Sequence, residues 1–116
     1  MTKIINNHEI RPGANLKGAD LFNADLSRAN LQGANLERAR LMYANLVGAN
    51  LRGVYFESAL LMNANLQDAD LSGAYLFGAN LESVDLRGAN LQDANLYKAN
   101  LEGADLQGAD LQGASF

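Results

Sequence analysis

Leu or Phe recurs at every fifth position from Leu16 to Phe116, twenty-one times in all. Nineteen of these are Leu, and the other two are Phe56 and Phe116. Ala stands two residues before each, replaced by Val only at Val54 and Val84. Between the two apolar residues lies Asn or Asp in sixteen cases, the exceptions being Arg40, Tyr55, Leu60, Tyr75 and Ser115. A period of five fits neither regular element. On an α-helix each Leu would advance by about 140°, so the leucines would spiral around it without forming a stripe. Ten glycines lie within the repeats, and each would cost a helix roughly 1 kcal/mol. On a continuous strand Ala and Leu share a face, but an odd period sends the next pair to the other face. Both conflicts vanish if the chain turns once per repeat. Each Ala-x-Leu is then a very short strand with both apolar groups inward, the Gly-rich end takes the corner, and successive coils stack at ~4.8 Å.

The string A-(N/D)-L-x-G, running from Ala14 to Phe116, resembles the pentapeptide-repeat proteins. The resemblance implies an all-β fold, a right-handed quadrilateral parallel β-helix. Residues 14–116 then make about five full coils of twenty residues, and residues 1–13 form an N-terminal capping segment. Ile4, Ile5, Ile10 and the turn at Arg11-Pro12-Gly13 are expected to lay apolar side chains over the first coil. Val54, Phe56, Val84 and Phe116 are expected as packing variants of the core, with Phe116 partly plugging the bore. The repeat stops without a C-terminal cap, and an unpaired apolar edge invites a second chain. An end-to-end homodimer through the last coil is one expectation, and a cap lost to truncation is the rival reading.

With a twenty-residue coil, residues twenty apart stack, and the outward positions sort into four faces. All six outward aromatics (Phe22, Tyr43, Tyr55, Tyr75, Phe77 and Tyr97) fall on two adjoining faces, joined by Met42, Leu60 and Met62. Elsewhere Val47 is the only large apolar residue pointing out. A contiguous patch of this kind marks a partner surface, and aromatics with Met are enriched in interface cores. The competing reading is a structural ladder, because stacked aromatic pairs also tie coil to coil, by ~0.2–1 kcal/mol each.

The rest of the sequence excludes more than it proposes. Nine basic residues stand against thirteen acidic ones, a net charge of -4, which opposes general nucleic-acid or anionic-membrane binding. No Cys is present, so thiolate catalysis and thiolate metal sites are ruled out. The N-terminus has no long apolar run, nor does any segment approach ~20 apolar residues; a soluble cytoplasmic protein is expected. His8 is the only histidine and lies outside the repeats, the serines have no base beside them, and a Leu-filled bore leaves no room for a cofactor. No catalytic, metal or cofactor residue is expected. The Asn and Asp of each repeat are read as bonding backbone at tight corners.

These readings converge on a non-catalytic solenoid that binds an unidentified protein through the aromatic and Met patch. The resemblance supplies an alternative, since some members protect DNA gyrase or a related topoisomerase by imitating the shape and negative charge of a DNA duplex. Here Lys17, Arg28, Arg38, Arg40, Arg52, Arg87 and Lys98 interrupt the acids. A third reading is a structural or targeting module, the description that suits many short, mostly bacterial members.

Overall fold

The structure, a computed structural model, describes residues 2–116. No helix occurs among them. Beyond the N-terminal segment, every chain-to-chain pairing is an isolated parallel bridge between residues twenty apart, from Asn15↔Asn35 to Asn95↔Ser115. The chain is thus a β-solenoid, 34 × 20 × 19 Å along its principal axes.

One local unit repeats throughout. The Ala19 N–H donates to the Leu16 carbonyl at 3.0 Å, closing a turn over Leu16–Ala19. Its third residue, Gly18, has φ +67. Positive φ at that residue alone defines a type II turn. The same bond recurs one repeat on, from Ala24 to Leu21, and so to Ala114 and Leu111. Where glycine is absent from the third position, Asn, Asp, Ser, Arg, Lys or Tyr accepts the left-handed conformation, as at Asn23, Asp68, Ser58 and Tyr43. A turn every five residues and pairing at twenty sort the repeats into four stacks. The first stack is centred on Leu16, Leu36, Phe56, Leu76 and Leu96, and the second on Leu21, Leu41, Leu61, Leu81 and Leu101. The third and fourth stacks begin at Leu26 and Leu31.

Backbone bonding is nearly complete within each repeat of the inner coils. The Leu36 N–H reaches the Tyr55 carbonyl of the next coil at 2.7 Å, Arg38 N–H reaches Glu57 at 3.0 Å, and Asn35 N–H reaches back to Ala14 at 2.9 Å. With the turn bond, four of the five N–H groups are bonded to backbone. The exception is the residue that follows Leu. Its N–H points away from both neighbouring coils, and its partner is a side chain, described below.

The core is the stacked Ala and Leu, almost wholly buried from Leu16 to Leu96. Val54, Phe56 and Val84 are buried within it, Phe56 being the largest fully enclosed side chain. Phe116 departs from the sequence reading: it is 63 % exposed and does not fill the bore. In the last coil Leu101, Leu106 and Leu111 are half-buried, because no coil covers them.

The N-terminal segment is a hairpin that the sequence reading did not foresee. Strand β1 (Lys3–Ile5) pairs antiparallel with β2 (His8–Ile10). Asn6 and Asn7 turn it with φ 50 and 66, the paired positive values of a type I′ turn, which Asn tolerates. Ile10 is buried against the first coil and Ile5 half-buried. Ile4, expected to join them, is exposed, since alternation along β1 turns it outward. Asn6 Nδ2 donates to the Asp20 carbonyl at 2.7 Å and Lys3 Nζ to the Asp25 carbonyl at 2.5 Å. These are carbonyls that a preceding coil would otherwise occupy, so the hairpin covers part of an exposed edge. Arg11-Pro12-Gly13 then makes the first corner, with Ala14 N–H on the Arg11 carbonyl at 3.2 Å and Gly13 at φ +68.

Candidate functional site

The N–H that the backbone leaves over is taken by the Asn or Asp two residues earlier. Asn15 Oδ1 accepts from the Lys17 N–H, Asp20 Oδ1 from Phe22, Asn65 Oδ1 from Gln67, and so on through Asp110 and Gln112. All sixteen Asn and Asp residues at this position make the bond, at 3.0–3.3 Å. Their oxygens are therefore committed to the backbone, as a corner role requires. Where the position holds Arg40, Tyr55, Leu60 or Tyr75, the bond is missing. The N–H groups of Met42, Glu57, Met62 and Phe77 have no acceptor among the described residues.

Those four departures lie inside the aromatic and Met surface. The Tyr55 and Tyr75 rings stack 4.9 Å apart and 4° from parallel, on the first stack. Phe77 and Tyr97 follow at the next corner, 5.7 Å apart and tilted by 30°. Lys98 Nζ lies 5.9 Å from the Phe77 ring centre and 5.6 Å from that of Tyr97, a cation over two rings. Leu60 stands on the second stack between Arg40 and Asn80. Met42 and Met62 are half-buried at the corner beyond it. Phe22 meets Tyr43 edge-on at 5.9 Å and 70°, a diagonal contact that sorting by twenty does not reveal. The six aromatics are 40–57 % exposed, so each stacks with a neighbour and still presents a face outward.

The same surface holds backbone strain. Tyr43 has φ 61 and Lys98 φ 62. A side chain in the left-handed region costs roughly 1 kcal/mol, and a bulky ring there is a genuine outlier. Glu57 adds an unmet polar atom, its Oε1 being enclosed without a hydrogen-bond partner.

The other two stacks are polar and carry most of the net negative charge. Three arginines (Arg28, Arg52, Arg87) stand there against seven aspartates (Asp25, Asp68, Asp70, Asp85, Asp93, Asp105, Asp110). On the first two stacks four cations face five carboxylates. Arg87 grips Asp85 with two bonds, at 2.7 and 2.9 Å, and lies 3.8 Å from Asp105. Arg87 and its hydrogen bonds hold the Asp85 carboxyl below the usual carboxylate range despite some burial. Arg40 lies 3.4 Å from Asp20, as their stacking predicts. A shallow open groove of about 530 Å³ runs down the corner after the fourth stack, past Gly33, Gly53 and Gly73 with Arg52 and Gln92 beside them.

Comparison with known proteins agrees with this architecture. The family model for pentapeptide repeats matches eight copies, over residues 12–38, 19–57, 39–76 and 74–113, and the chain belongs to the pentapeptide-repeat family. Several solved structures are similar to it. One is HetL, a pentapeptide-repeat protein involved in heterocyst differentiation regulation in the cyanobacterium Nostoc sp. strain PCC 7120. It is 35% identical, with a TM-score of 0.52 over 90% of this chain and 58% of its own. Another is QnrB1, a plasmid-mediated fluoroquinolone resistance protein, 22% identical, with a TM-score of 0.63 over 90% of this chain and 53% of its own. The chain thus spans little more than half the length of either relative. None of the curated proteins matches it.

Proposed function

We propose that the chain is a non-catalytic, right-handed, four-sided solenoid of about five coils that binds another protein through the surface centred on Tyr55, Tyr75 and Leu60. The observation that carries this reading is the coincidence of two patterns. Apolar exposure and local instability fall on the same residues. Tyr55, Leu60 and Tyr75 each displace an Asn or Asp that would bond the backbone, and Tyr43 occupies a left-handed position that glycine holds at no steric cost. A residue chosen for the fold alone would not repeat such losses at neighbouring positions, whereas binding surfaces regularly violate local rules. The Tyr55–Tyr75 stack contributes to coil pairing, by about 0.5–1.5 kcal/mol, and this accompanies the exposed role.

The test is capture from the native host with wild type and a Tyr55→Asn, Leu60→Asn, Tyr75→Asn variant side by side. Each substitution supplies the missing acceptor, so the variant folds. A partner held by the wild type and lost by the variant supports the reading; identical captures make the surface structural.

Two further readings have an observation of their own. The seven aspartates on the third and fourth stacks favour an acidic surface of the kind that imitates DNA toward a topoisomerase, though Arg87 and Arg52 interrupt it. Unchanged gyrase supercoiling at micromolar protein removes that reading. The half-buried Leu101, Leu106 and Leu111 favour a second copy packed end to end, which a monomeric elution at high concentration removes.

A further inference from the structure

We infer that the partner surface is read by an extended peptide segment carrying apolar side chains and Asn or Asp on one face, whose Asn or Asp oxygens accept from the N–H groups of Met42, Glu57, Met62 and Phe77. This rests on the protein-binding reading above and specifies its chemistry. In the sixteen regular repeats the corresponding N–H is closed by a carboxylate or amide oxygen at 3.0–3.3 Å. The four open ones are paired by stacking. Glu57 follows Tyr55, which bridges Tyr75 ahead of Phe77, and Met42 follows Arg40, which bridges Leu60 ahead of Met62. Donors therefore recur at the coil spacing of ~4.8 Å in two columns.

Around the perimeter these donor columns alternate with apolar ones. Tyr55 and Tyr75 come first, then the N–H groups of Glu57 and Phe77, then the Phe77 ring. Leu60 is next, followed by the N–H of Met62 and the Met62 side chain. The complement is a segment that presents apolar and acceptor side chains on one face, at alternate residues of an extended chain. Arg40 and Lys98 flank the surface, and Lys98 makes no salt bridge among the described residues. Glu37, Glu57, Glu82 and Glu102 stand on the same two stacks, so amide acceptors are favoured over acidic ones, and the Glu57 Oε1 lacks a donor in the free chain. A peptide N–H can supply that donor once the side chain turns outward.

The donors can be removed one at a time without cutting any bond in the fold. Each is the second residue of a type II turn, where proline is favoured, and this chain already places Pro12 at that position in its first corner. A phage-displayed library of random peptides is selected on the wild type, and the retained peptides are measured by calorimetry against two pairs of variants. Glu57→Pro is expected to bind about three- to tenfold more weakly than Glu57→Ala, and Met62→Pro more weakly than Met62→Ala by a similar factor. Both members of a pair lose the side chain, and only the proline loses the N–H. On the unaltered chain, bound peptide should slow amide exchange at Met42 and Phe77 about tenfold. Equal affinities within each pair, or unchanged exchange at these amides, overturn the inference. If Tyr55→Ser with Tyr75→Ser then abolishes peptide binding, the surface reading survives alone. If no peptide prefers the wild type over that double variant, both fail.

Discussion

The bond between each Asn or Asp and the N–H two residues on has a worth that can be measured from both directions. Asn65 Oδ1 accepts from Gln67 N–H at 3.0 Å on the third stack, away from the aromatic surface. Asn65→Ala deletes the acceptor and leaves the N–H to water, so the loss is about 0.5–1.5 kcal/mol. Position 40 offers the reverse. Arg40 makes a single contact with Asp20 at 3.4 Å, with both side chains about half exposed, and such pairs contribute ~0–1 kcal/mol. Arg40→Asn gives up that contact and closes the Met42 N–H, for a net gain of roughly 0.5 kcal/mol. Near the midpoint, 1 kcal/mol corresponds to about 4 °C in a domain of this size. Urea titration at fixed pH measures both variants, with the slope checked for constancy. Solenoids can unfold in segments, so amide exchange at Gln67 and Met42 serves as the local measure. The reasoning requires opposite signs. If Asn65→Ala is neutral and Arg40→Asn gains nothing, the missing bonds carry no cost, and local instability no longer marks the surface.

Other outcomes follow from the same geometry. Phe56→Ala should cost about 3–5 kcal/mol by opening a cavity in a sealed layer, whereas Phe116→Ala should change the urea midpoint little because the ring is already in solvent. Gly88→Ala meets both positive φ and the Asp68 carboxylate, which crowds the added Cβ; a loss of about 1–2 kcal/mol is expected, while Gly53→Asn, with open space around it, should be nearly silent. Asp85 titrates below the ordinary carboxylate range in the folded chain because of Arg87. Its contribution is therefore present above the unfolded value of about 3.9 and is lost as pH falls through the lower folded value. Asp85→Asn keeps an acceptor for the Arg87 N–H, so urea midpoints from pH 7 down to about 2 should show a shallower acid decline than wild type.

Much of the fold was legible because the period itself is incompatible with helix and strand. A five-residue repeat with Ala and Leu two apart can bury both only by turning once per repeat, and Gly or Asn at the third turn position is the residue that turn demands. Parts of the N-terminus are readable in principle, since two Asn between short apolar-alternating runs are a hairpin signal, but the five-residue period carries no information about them. Ile4 was misassigned for the same reason, since without a strand there is no alternation to send it outward. Phe116 holds an inward position yet is exposed, because burial needs a layer on the far side.

The candidate surface divides in a similar way. Its membership followed from counting in twenties, a number that came with the family resemblance. The open N–H groups did not follow, although Arg40, Tyr55, Leu60 and Tyr75 were visible as exceptions. Recognising them as lost acceptors requires knowing that every other donor in the repeat is already bonded to backbone, a property of the stacked coils. The amino-acid sequence by itself determined which side chains face the bore, because sterics and burial act within a single repeat. Tertiary structure alone decided which rings touch, which carbonyls the hairpin covers and which donors remain open. Those outcomes depend on groups twenty residues apart meeting at bonding distance, and only a closed coil brings them together.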